Sequence, residues 1–189
     1  MEVKEVKKFE VSAKKETVWA FLSDPWKIAP CLPGAQLVDT IGENRYSGKI
    51  KVKIGPVTTN FDGEVEFTQL DADKHHFVLE GKGVDKNGKG SAAMQMEMNL
   101  SDQEGGTQIE CGMSISISGR IAQFGARMIT AVNNKMFDQF TKNFQNLLEK
   151  HEAGESTDSN SGENVVDAGS VVGSMIKDSV SGIFKKKDS

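Results

Sequence analysis

The side chains able to do covalent or metal chemistry are few in this chain of 189 residues, and they stand apart. His75 and His76 share a stretch between two strand-like runs, and His151 lies near the end of a helical run. No other ligating side chain gathers near them in sequence, so they read as surface histidines. The two cysteines, Cys31 and Cys111, form neither a disulfide framework nor a zinc pattern. Cys111 falls in an apolar register and reads as a small core residue. No nucleophile, base and orienting group come together as a catalytic set. Asn87-Gly88-Lys89-Gly90-Ser91 has the look of a phosphate loop but lacks its spacing and its following helix. Lys49, Lys51 and Lys53 alternate along one strand face and read as a solvated stripe beside Asp62, Glu64 and Glu66. Arg120, at the start of a long helical run, could orient a polar ligand head or a carboxylate partner, or make an ordinary surface ion pair. The chemistry that remains is the holding of something apolar.

The elements that would do the holding are legible. Residues 46–54 place Tyr46, Gly48, Ile50, Val52 and Ile54 on one face and the three lysines on the other. Residues 57–67 place Val57, Thr59, Phe61, Gly63, Val65 and Phe67 on one face. Residues 109–117 repeat the pattern with Ile109, Cys111, Met113, Ile115 and Ile117. A period of two gives one apolar and one wet face of an antiparallel sheet. With Gly55-Pro56 as a hairpin loop, Ile50 faces Phe61, Gly48 faces Gly63 and Lys49 faces Asp62. A run at 76–84 carries Phe77, Leu79, Gly81 and Gly83. The next alternates Ala92, Met94, Met96, Met98 and Leu100, after the turn Asn87-Gly88.

Residues 2–11 predict an opening strand. Ser12 is the expected N-cap of a short helix through Leu22. Asp24-Pro25 ends it and can start a second, which Pro30 should stop. From about Arg120 to Lys150 the stripe Ile121, Gly125, Met128, Val132, Met136, continued by Phe137, Phe140, Phe144 and Leu147, predicts one amphipathic helix. At 1.5 Å per residue it is about 45 Å long, enough to cross the sheet. The order of elements is that of an α+β domain, a seven-stranded antiparallel meander closed by one C-terminal helix, with two short helices after the first strand.

Whether the seam is packed core or pocket wall stays open at this level. Gly48, Gly63, Gly81 and Gly83 remove volume from inward positions, and Met94, Met96, Met98, Met113 and Met128 supply soft walls. The same glycines could mark sheet bends, and the methionines could fill gaps.

Bulk properties narrow the class. The net charge is −4 and the pI about 5.5, so there is no overall basic footprint for nucleic acid. The charged, strand-like start reads as no signal peptide, and no apolar run is long enough to span a bilayer. The expected compartment is the cytoplasm. Residues 151–164 read as a flexible linker. Residues 165–189 read as an amphipathic tail, with Val172, Met175, Ile176, Val180, Ile183 and Phe184 on one broad face and Lys185, Lys186 and Lys187 at its end. Asp167, Lys177 and Asp178 argue against a membrane span, at about 2.5–3.5 kcal/mol each near the bilayer centre. An interfacial helix, a partner-docking helix and an unstructured tail are the readings that remain.

Several motifs carry a family resemblance. They are Val18-Trp19-Ala20-Phe21-Leu22 with Asp24-Pro25, Cys31-Leu32-Pro33-Gly34-Ala35, Val52-Lys53-Ile54-Gly55-Pro56, Phe61 with Gly63-Glu64-Val65, and Ser118-Gly119-Arg120 with Ala122-Gln123-Phe124-Gly125. In this order, over residues 1 to about 150, the chain resembles the carbon monoxide dehydrogenase CoxG family of the START-like, helix-grip (SRPBCC) superfamily. The resemblance implies a curved sheet gripping the long helix around an apolar cavity. It implies a non-catalytic accessory of a CO dehydrogenase-like molybdenum hydroxylase, peripherally associated with the inner face of the cytoplasmic membrane. No covalent cofactor is expected; a menaquinone-like quinone or a lipid is the expected apolar ligand. The expected lining is Tyr46, Ile50 and Val52, then Phe61 and Val65, Phe77 and Leu79, Met94 and Met96, Met113, Ile115 and Ile117, and from the helix Phe124 and Met128.

Overall fold

The computed structural model describes residues 1–154. Seven antiparallel strands form one sheet. They are β1 (Glu2–Val11), β2 (Ala35–Gly42), β3 (Arg45–Ile54), β4 (Val57–Asp71), β5 (His76–Asp85), β6 (Ser91–Gln103) and β7 (Gly106–Ile117). Their lateral order is β1-β7-β6-β5-β4-β3-β2, so strands consecutive from β2 to β7 pair in space and β1 pairs with β7. Two short helices, α1 (Lys15–Leu22) and α2 (Pro25–Ile28), follow β1, and α3 (Gly125–Glu152) ends the described chain.

The β3–β4 register is the one the alternation predicts, with Ile54 opposite Val57, Ile50 opposite Phe61 and Gly48 opposite Gly63. Lys49 stands opposite Asp62, yet the Asp62 carboxylate pairs with Lys86 at 3.4 Å. The loop after β5 brings Lys86 there through its backbone bond to Asn60.

Several boundaries differ from expectation. Ser12 does not cap α1, which starts after Lys14 without a side-chain cap. The segment between is held from β7 instead, because the buried Thr107 hydroxyl donates to the Ala13 carbonyl at 2.7 Å. The long helix does not begin at Arg120. Residues Gly119–Phe124 form a 3₁₀ turn, and Gly125, at φ +77°, turns the chain before α3 starts. At its other end α3 includes His151 and Glu152, which composition alone assigns to a linker. Pro30 does not stop the chain outright; it sits in a 3₁₀ turn, Ala29–Cys31, that extends α2. Asp24 caps α2 as its position predicts, its carboxylate accepting from the Trp26 amide at 3.0 Å.

The buried apolar residues form two clusters rather than one. The first gathers Val11, Val18, Phe21, Ile109, Phe144 and Leu148 where α1 and the C-terminal half of α3 cross the sheet. The second gathers Val3, Ile54, Phe61, Ile117, Ile121 and Ile129 around the start of α3. A domain of this size ordinarily has one contiguous core. Between the two clusters many inward side chains of β3 to β7 are only half-buried.

Candidate functional site

The space between the clusters is a cavity of about 400 Å³. Its floor is the inner face of the sheet. A row of small residues crosses that floor, Gly48 opposite Gly63, Gly63 opposite Gly83 and Gly83 opposite Ala92. All four line the cavity, as does Gly81 two residues along β5. Both meanings that the sequence leaves open for these glycines therefore apply. They leave volume empty, and at Gly63 they also let two strands approach, since a Cβ there would lie 2.2 Å from the Lys82 carbonyl oxygen.

Of the expected lining, β3 contributes Ile50 and Val52, β4 Phe61 and Val65, and β5 Phe77 and Leu79. From β6 come Met94 and Met96, and from β7 Met113, Ile115 and Ile117. Three expected residues lie elsewhere. Tyr46 packs on the first cluster, off the cavity wall. Phe124 belongs to the 3₁₀ turn and packs on the second cluster. Met128 is 37% exposed and sits over the β3–β4 turn, its methyl 3.6 Å from where a Cβ on Gly55 would be. The break at Gly125 explains the last two, because α3 meets the cavity only from Ile129 onward.

The roof is built from more of α3 than the expected lining holds. It consists of Ile129, Val132, Met136, Phe137 and Phe140, most of them on the helical stripe that spacing marks, together with Asn133. Leu22, Pro25, Ile28 and Leu32 from the short helices and their loop, and Leu37 from β2, complete the wall. No periodicity marks those positions, because they come from short elements that only the fold gathers.

The inner face is also less uniformly apolar than expected. On β1 the inward register reads Val3, Glu5, Lys7, Phe9, Val11, and these are the less exposed members of the strand. The Glu5 carboxylate accepts from the Asn133 side-chain amide, and Lys7 donates to the Asn134 side-chain carbonyl. The Lys7 ammonium also lies 5.0 Å from the centre of the Phe137 ring. The strict alternation of β1 is the signal in the sequence that places these two charges inward.

The remaining reactive groups have structural surroundings. Cys111 lines the cavity; burial pushes its thiol up to about 12, with Lys7 acting the other way. Burial pushes the Cys31 thiol up to about 11. Asp85, buried at the end of β5, accepts from the Thr59 hydroxyl and from the Asn87 and Lys89 amides. The Thr59 bond first, then the Lys89 amide, holds its carboxyl below the usual range, against the penalty of burial. This carboxylate shapes the Asn87–Ser91 segment as a hairpin turn. His75 meets the Trp19 ring edge-on and His151 meets Phe21 the same way. Arg120 is exposed and lies off the cavity wall. Among the described residues no three His, Cys, Asp or Glu side chains gather to hold a metal, and no helix is long and apolar enough to cross a membrane. The tail residues from Val172 to Lys187 lie outside the described residues.

A curved antiparallel sheet wrapped on one long helix, with two short helices after its first strand, defines a helix-grip protein. A conserved protein from Geobacillus kaustophilus has this fold at 24% identity, covering 78% of this chain and 97% of its own, with a TM-score of 0.70. The Zhui aromatase/cyclase from Streptomyces sp. R1128 matches at 13% identity over 82% of this chain and 100% of its own, TM-score 0.61. Norcoclaurine synthase from Thalictrum flavum matches at 11% identity over 80% and 88%, TM-score 0.54. These likenesses are of fold. No curated protein matches by sequence. The family model of the carbon monoxide dehydrogenase component CoxG matches residues 8–149, and the chain belongs to that family.

Proposed function

We propose that this protein is a non-catalytic accessory of a CO dehydrogenase-type molybdenum hydroxylase, and that it holds an apolar ligand, an isoprenoid quinone or comparable lipid, in the cavity between sheet and helix. Its tail, residues 165–189, links the enzyme to the inner face of the cytoplasmic membrane. The observation that carries the reading is the cavity itself. Its 400 Å³ falls within the roughly 300–1,000 Å³ of small-molecule sites, and its wall is built from aliphatic, methionine and aromatic side chains. An empty closed void of that size would forfeit on the order of 10 kcal/mol at about 24 cal/mol per Å³, comparable to the whole stability of a domain. A chain that keeps such a volume has a use for it. Family membership supplies the partner class, and the insolubility of quinones in water supplies the reason for a carrier.

A cyclase-type enzyme is the competing reading, drawn from the names of two proteins of the same fold. It needs ionisable groups aimed at a substrate, whereas the charged residues along this wall, Lys49, Glu64 and Lys82, are exposed. Native mass spectrometry of protein purified from membranes tests the carrier. Co-purified quinone or lipid is expected. Protein free of any apolar ligand, and unprotected against heat by added menaquinone, would overturn it.

A further inference from the structure

The wall of the cavity offers very little to a polar atom. Gln36, Lys49, Glu64 and Lys82 border it, but they belong to the outward register of β2 to β5 and are exposed. Cys111 adds a thiol, a weak donor at best. Among the described lining residues, Asn133 on α3 is the one with a polar amide side chain on the inner side.

Its environment sets its orientation. A carboxylate has only acceptors, so the Asn133 group that meets Glu5 must be the NH₂, and the carbonyl oxygen Oδ1 must face away. That oxygen makes no hydrogen bond to another described residue. Among the described residues only Thr141 Oγ1 is both sealed from solvent and without a partner, so Asn133 Oδ1 is open to contact. The neighbouring pair repeats the arrangement in reverse, Lys7 taking the Asn134 carbonyl. Glu5 stands opposite Met113 and Lys7 opposite Cys111, both on the cavity wall. Charged groups on the inner face of a strand are costly unless bonded, and an apolar residue would suit either position better if packing were their only role. Their effect is to hold one acceptor at the cavity with its donor side already satisfied.

We propose that Asn133, oriented by Glu5, is the polar anchor of the cavity, and that its ligand carries a hydroxyl at one end of an apolar body. This rests on the ligand-binding reading above and sharpens it. An acceptor-only anchor selects alcohols and phenols over ketones, ethers and hydrocarbons of the same shape. For a quinone-type ligand it selects the hydroquinone.

The test uses the full-length, delipidated protein and two probes of similar shape, 1-naphthol and 1-methylnaphthalene, each displacing the fluorescent apolar dye N-phenyl-1-naphthylamine. The wild type should bind 1-naphthol at least tenfold more tightly. Asn133→Leu should shrink that ratio at least fivefold while 1-methylnaphthalene binds no more weakly than before. Asn133→Ala, a substitution to the strongest helix former, should do the same and serves if the leucine variant does not fold. A ratio unchanged in the variant, or a wild type that binds both probes equally, overturns the anchor and leaves the cavity as a ligand site. A wild type that binds neither probe overturns the ligand-binding reading, and the anchor with it.

Discussion

Gly63 on β4 faces Gly83 on β5 so closely that a Cβ on Gly63 would lie 2.9 Å from the Gly83 Cα and 2.2 Å from the Lys82 carbonyl oxygen. Both clashes are with backbone, which cannot move without opening the sheet. Gly81 differs, because a Cβ there would meet the Val65 and Met94 side-chain tips at 3.4 and 3.5 Å. Gly63→Ala should therefore destabilise by about 1–3 kcal/mol, and Gly81→Ala by less than about 1 kcal/mol. Urea denaturation of the two variants checks the difference; equal losses would contradict it.

Filling the cavity should cost binding before it costs stability. Val65 and Ile115 are half-buried and line the cavity from β4 and β7. Val65→Phe and Ile115→Phe add volume where space exists, so overpacking strain of about 1–3 kcal/mol should be largely avoided. Binding of N-phenyl-1-naphthylamine should fall at least tenfold in each, with the thermal midpoint held within a few degrees.

Both thiols should be inert in the native protein. Each is buried, and each is pushed well above the usual thiol range, to about 11 for Cys31 and about 12 for Cys111. The thiolate is the reactive form. Labelling with a disulfide reagent at pH 8 should be slow, and both sites should react at once in denaturant. Rapid native labelling of Cys111 would mean that the cavity opens to water.

Acid should act through Asp85. Its folded-state pKa is lowered by the Thr59 hydroxyl and the Lys89 amide, so the ionised form stabilises the fold. That contribution is complete above the ordinary carboxylate range and is lost as pH falls through the lowered folded value. Denaturant midpoints should be level from about pH 5 to 7 and drop below about pH 4. Asp85→Asn should lower stability at pH 7 and flatten that acid limb.

Removing residues 155–189 tests the tail. The shortened chain keeps α3 and the whole region matched by the family model. It should lose sedimentation with anionic vesicles while retaining dye binding by the cavity. Equal sedimentation of both forms would place any membrane contact on the folded domain.

Much of this protein is written in its alternation. Period-two runs are enough to define the strands and the β3–β4 register, because a one-residue slip would turn every apolar side chain of β3 and β4 outward. The stripe from Val132 to Phe140 marks the buried face of α3 for the same reason. Local pattern does not reveal the break at Gly125, whose positive φ is invisible to hydrophobic spacing, and so it puts Phe124 and Met128 on a cavity wall they do not reach. Nor can it show that Lys86, rather than Lys49, takes Asp62, since a loop makes that contact.

What the sequence determined by itself is a sheet with one apolar face and a helix to cover it, because side-chain period and solvent suffice for that. Only the tertiary structure decided that the two surfaces stand apart over a 400 Å³ cavity, and that Glu5, near the start of β1, holds Asn133 on a helix 128 positions later. Those outcomes depend on how strands curve and where a helix begins, which are set by contacts between residues far apart in the chain.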